Sequence, residues 1–185
     1  PQPITFSVKE SDIVFLIESR DLSAPPPVLG EDKLGILKLD SGRYEAACTG
    51  RLPTDLLAKV KEHGAIEGAT LLQHFGSPPH GIAPDLVRAT VVGLLRGGKV
   101  RVVIPGVGEM TSVIDIGTRE LLKDSGLKSA QISLNTKDPL SARDRNAICA
   151  LFKDALHIDV PRDNDAIADA VASRFAAIRD RLNTI

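Results

Sequence analysis

The side chains best placed to do chemistry together lie between Gly81 and Arg101, where Arg88, Arg96, Lys99 and Arg101 are offset only by Asp85. On a helix running from Pro84 to Arg96, Arg88 and Arg96 fall two turns apart. They share one side, away from the apolar seam of Val87, Val91, Leu94 and Leu95. Lys99 and Arg101 open the next segment and share a strand face by period two. Such a group could hold duplex DNA phosphates while the helix enters the major groove. Ala89, Thr90, Val92 and Gly93 supply most of the rest of that helix, and Asn and Gln, the adenine readers, are missing from it. The expected contact is therefore non-specific, with a solvated helix face and a protein-docking face as the alternatives.

Other candidate chemistry is weaker. Gly93-Leu94-Leu95-Arg96-Gly97-Gly98-Lys99 has the spacing of a phosphate-binding loop, but Val100 replaces the hydroxyl residue that would hold magnesium. The element order is also reversed, because a phosphate loop follows a strand and opens a helix. Gly106-Val107-Gly108 suits a tight turn. His63, His74, His80 and His157 show no i, i+4 pairing of the kind used by metal sites, so each is expected at a surface or helix end. Cys48 and Cys149 are far apart without CxxC spacing, which excludes a disulfide framework and a zinc knuckle. Cys149, near Ile148 and Leu151 on an amphipathic helix, is expected to be a buried, inert thiol. No catalytic residue, metal or cofactor is expected in this chain.

The elements that must position these residues begin with a β-rich arm or subdomain at 1–51. Ile4 to Val8 alternates, Ile13 to Ile17 is a continuous apolar run that suits a buried strand or one helical turn, and Pro25-Pro26-Pro27 forces a loop. Leu34 to Leu39 and Tyr44 to Cys48 flank the turn Asp40-Ser41-Gly42 and suggest a hairpin. Residues 52–136 read as a helix capped by Thr54 that runs through Val60 or Lys61 and is ended by Gly64, a helix from Ala65 to Phe75, and a break at Pro78-Pro79. A helix then runs from Pro84 to Arg96, followed by a strand to Ile104 and a return over Thr111 to Ile116. Helix, helix, turn, helix and β wing is the order of a winged helix-turn-helix. A short helix (Thr118 to Lys123) and a strand (Ala130 to Leu134) follow. Residues 137–185 read as a C-terminal helical pair. The first helix opens at Ser141 and carries Ile148, Leu151, Phe152 and Leu156. The second, capped by Asp163 or Asp165, carries Ile167, Val171, Phe175, Ile178, Leu182 and Ile185. The fold class is therefore α+β: a winged-helix core with a β-rich N-terminal segment and C-terminal helices. Val171, Phe175, Ile178 and Leu182 are candidate partner-docking residues.

Pro78-Pro79-His80-Gly81, Asp85-Leu86-Val87 and Leu94 to Val102, with Leu140 to Arg145 and Leu151-Phe152 downstream, give this region a family likeness. It resembles the C-terminal portion of the large P-loop ATPases of bacteriophage-exclusion (BREX) systems, the BrxC/PglY family, over about Ala65 to Ala177. His80 stands where that family usually has another aromatic, and Ile82 where it commonly has Trp. The resemblance implies a bacterial defence ATPase as parent, with its nucleotide site outside this chain. The implied partners are duplex DNA, other defence-system proteins or the rest of the parent chain.

Composition is that of an ordinary folded protein. At 185 residues, with 43% hydrophobic and 25% charged side chains, the chain can bury a core and is not a disordered tail. Only 3% of residues are aromatic and Trp is absent, so base stacking is no main activity. A formal net charge of −1 excludes general electrostatic binding of nucleic acid or membrane, and any DNA contact must be a local patch. No apolar run is long enough to span a membrane, and a cytoplasmic setting is expected. A purely protein-interacting scaffold is the alternative function.

Overall fold

A computed structural model describes residues 6–20, 22–135, 142–162 and 166–174. They form two compact units, 1–137 and 138–185. The fold is α+β, with two small antiparallel sheets.

The N-terminal segment differs from the β-rich arm expected of it. Its apolar run is helix α1, Glu10–Glu18, with Ile13 and Leu16 buried. Five consecutive apolar residues suit either element, and the flanking acids decide it. Asp12 accepts the Lys9 backbone N–H at 2.9 Å, half of a capping box, and Glu10 and Asp12 suit the positive end of the helix dipole. The hairpin appears, but shorter than expected: β1 (Lys38–Asp40) pairs with β2 (Arg43–Glu45). Residues 1–51 fall in the same unit as the helices that follow.

Helix α2, Arg51–His63, starts three residues before Thr54. The Thr54 hydroxyl donates to the Gly50 carbonyl at 2.8 Å, so it bonds back along the helix instead of capping it. Gly64, at φ 72°, ends the helix. The expected helix from Ala65 begins instead with a strand, β3 (Ala65–Glu67), before α3 (Gly68–Gly76). Ile66 is buried between exposed neighbours, and β3 pairs with a distant strand. That pairing overrides helix propensity, which no local pattern reveals. Helix α4, Pro84–Arg96, matches the expected bounds, with Pro84 in its first turn.

Strand β4, Val100–Ile104, pairs with β5, Gly108–Met110, which lies earlier than the expected return at Thr111 to Ile116. Residues after β5 form a tight loop instead. The Asp115 carboxylate accepts the backbone N–H groups of Thr111 and Ser112 at 2.7 and 2.9 Å, supplying the bonds a strand would have made. A 3₁₀ turn at Thr118–Leu122 and helix α5, Asp124–Ser129, lead to β6, Gln131–Leu134. The second sheet has order β3-β6-β4-β5. Ile66, Val100, Val102, Ile104, Met110 and Ile132 are buried. Arg101, Val103 and Glu109 alternate with them toward solvent.

Helix α4 is the centre of this unit. All eleven residues from Leu86 to Arg96 are buried. Helices α1, α2 and α3, strand β4 and the 3₁₀ turn pack against it. Gly93 admits Ile36, whose side chain would lie 2.6 Å from any Cβ there, and Gly97 admits the Ala46 carbonyl on the same terms. The N-terminal segment is thus a wall of the core.

In the C-terminal unit, α6 (Ala142–Leu156) presents Phe152 to a small core with Val160 and Ile167. Residues 166–174 are helical. Ser141, Asp163, Asp165, Phe175, Ile178, Leu182 and Ile185 lie outside the described residues.

One position tests the tertiary contacts directly. A Cβ on Gly68 would meet the Leu127 carbonyl oxygen at 1.8 Å, and the Gly68 N–H donates to the Ala130 carbonyl at 2.8 Å. Gly68→Ala should lower stability by about 1–3 kcal/mol in urea titration. Gly76→Ala, whose nearest neighbour is 3.8 Å away, should change it by less than about 1 kcal/mol. Equal effects would contradict the packing of α3 on α5.

Candidate functional site

The four basic residues do not assemble into one exposed face. Arg88 is 8% exposed, with its guanidinium between Asp85, at 2.5 Å, and Asp124. It ties α4 to the start of α5. Its Nε is buried without a hydrogen-bond partner, a cost the two carboxylates must offset. Arg96 is 3% exposed and donates from Nη1 to the Leu16 carbonyl at 2.7 Å. Leu16 lies in the last turn of α1, whose carbonyls lack partners within the helix, so a cation there also meets the negative end of the dipole. Helical spacing does place both arginines away from Val87 and Val91, but that side of the helix is also covered.

Lys99 is half-buried and donates from Nζ to the Ala47 carbonyl. Arg101 is the most exposed of the four. Its Nε donates to Ser133 Oγ at 2.8 Å, and its Nη1 lies 3.6 Å from Glu109. Lys99 and Arg101 are thus the pair that reaches solvent, and each has a partner within the fold.

The glycine motifs are spent on structure. The N–H groups of Gly97, Gly98 and Lys99 donate to the carbonyls of Gly93, Leu95 and Leu94. The amides a phosphate would need therefore cap the C-terminus of α4. Gly106 and Gly108, at φ 78° and 125°, turn the chain between β4 and β5.

Cys48 is buried, which pushes its thiol up to about 12 against the opposing influence of Lys99. Cys149, expected to be buried, is only half-buried, with Sγ 3.9 Å from the Pro161 carbonyl. Val171 packs against the core of its own unit. The other docking candidates, Phe175, Ile178 and Leu182, lie outside the described residues.

Two features escaped the sequence. Val107, Ile114 and Ile116 are exposed on either side of β5, Ile116 almost fully at 96%; the sequence places Val107 in a turn and the two isoleucines in a return strand. His74 and His80 also come together, with ring centroids 5.2 Å apart. They line an open pocket of about 320 Å³ with Thr70, Gln73, Ser77 and Pro79. Their separation of six spans a helix end and a proline turn, which no helical spacing rule would pair. Partial burial, with Lys59 and His80 nearby, lowers the His74 pKa below its ordinary value. The His63 ring nitrogen Nδ1 lies 3.1 Å from the Lys59 carbonyl. Among the described residues, no group of three or more His, Cys, Asp or Glu side chains could hold a metal ion. No helix among them is long and apolar enough to cross a membrane.

Two outcomes follow. Arg88→Ala should destabilise the fold by roughly 1–3 kcal/mol, below the full cost of breaking a buried pair because the stranded carboxylates can regain water. Arg88→Met, which keeps the stem, should cost less in the same urea titration, and equal losses would count against the packing role. With a thiol reagent at pH 8, Cys149 should react first and Cys48 only on unfolding; comparable native rates would contradict the burial of Cys48. No family model, curated protein or solved structure matches this chain.

Proposed function

We propose that this chain is a non-catalytic winged-helix-type module of a larger defence ATPase of the BREX kind, and that it serves assembly instead of DNA contact. The module reading is supported by strand order. A winged helix runs helix, strand, helix, helix, strand, strand, with the last strand between the other two. Here α2, β3, α3, α4, β4 and β6 follow that plan, and β6 lies between β3 and β4. Residues from β5 to α5 then form an enlarged wing. The defence setting rests on the resemblance carried by Pro78 to Gly81 and Leu94 to Val102.

The observation that favours assembly is the burial of α4. It occupies the place of the groove-reading helix, yet residues 86–96 are all covered and Arg88 and Arg96 are bound internally. A helix with no free face cannot enter a groove. Exposed Val107, Ile114 and Ile116 give the enlarged wing an apolar surface, as protein-contacting regions commonly have. Membership of an assembly needs no catalytic group in this chain.

The test is fluorescence anisotropy with a short random duplex, from low to physiological salt, on the native chain and on a Lys99→Ala/Arg101→Ala variant. The expected result is no saturable binding by either. Binding with a log–log salt slope near about −1.8, the value for two phosphate contacts, that vanishes in the variant would restore the DNA function.

A further inference from the structure

We propose that His74 and His80 form a two-histidine site for a divalent transition-metal ion of the zinc class, open to solvent on its remaining coordination positions. The carrying observation is the ring separation. A zinc-class ion binds imidazole nitrogen at about 2.0–2.1 Å, which puts it about 3.2 Å from each ring centroid; a tetrahedral angle then separates the centroids by about 5.2 Å. The observed separation is 5.2 Å, with the rings tilted 47° to one another. Phe75 is buried and contacts both imidazoles, edge-on to His74 at 5.0 Å and tilted to His80 at 5.5 Å. Both rings are thus braced against a core side chain, as a preorganised pair of ligands must be.

The surroundings fit a cation. His74 lies in the last turn of α3, where the helix dipole favours positive charge. Lys59, the nearby positive group, is paired with Glu62 at 3.0 Å, which limits its repulsion. The pocket also has Thr70, Gln73 and Ser77 on its wall, whose oxygens can accept hydrogen bonds from metal-bound water. Since no third protein ligand among the described residues joins the pair, water fills the other positions and the affinity is moderate.

The experiment is isothermal titration of the full chain with zinc chloride in a non-coordinating buffer at pH 7.5. One ion should bind per chain in the micromolar range. His74→Gln and His80→Gln should each weaken binding more than about tenfold, while His63→Gln should leave it unchanged. No saturation below about 1 mM zinc, or binding that survives the double substitution, would overturn the site. A second measurement protects against a variant that fails to fold. In native protein, zinc should shift the imidazole proton resonances of His74 and His80 and leave those of His63 and His157 in place; the reverse pattern also overturns it.

Discussion

The first unit depends on keeping one helix out of water on every side. Helix α4 has an apolar seam and two arginines, and both have to be accommodated once the helix is covered all round. An isolated buried guanidinium is too costly to persist, so each needs an internal partner. Arg88 finds carboxylates on its own helix and on α5, and Arg96 finds a carbonyl at the end of α1. The partners come from segments before and after α4 in the chain. Burial of this one helix therefore gathers α1, the N-terminal loops and α5 into one unit.

Close approach of backbone makes this possible. Glycine at 93 within α4 and at 97 just past its end opens two notches that receive Ile36 and the Ala46 carbonyl. Gly35 and Gly50 approach each other so nearly that a Cβ on Gly35 would lie 2.4 Å from the Gly50 Cα. Gly35, at φ 63°, is also in the region that favours glycine. Helical positions that lower propensity are thus used where a second layer of chain must come close. The amides of Gly97 and Gly98, which mimic a phosphate loop in sequence, close the same helix.

The sequence made α4, β4 and the hairpin around Ser41-Gly42 legible, because each has a local signal: Pro84 at a helix start, a β-branched run, and a turn pair. It misplaced β3, whose three residues become a strand only through pairing with β6, 64 or more residues away along the chain. It left Ile13 to Ile17 open between a buried strand and a helical turn, although Asp12 three residues after Lys9 marked a helix start. The basic group was legible as spacing but not as environment. Periodicity puts Arg88 and Arg96 off the main seam, yet says nothing of a second surface arriving from residues 10–50. The His74–His80 pair lay across a proline turn, where no periodic rule applies.

The central constraint is most directly tested by arginine modification of the native protein with phenylglyoxal, read residue by residue by mass spectrometry. Arg51 and Arg119, whose side chains are 59% and 74% exposed, set the rate for accessible guanidinium groups. Burial of α4 predicts that Arg88 and Arg96 stay unmodified until the protein unfolds. Modification of Arg96 at the rate of Arg51 in folded protein would contradict it. Helix α4 would then have a free basic face, and the case for assembly over DNA contact would fall with its main support.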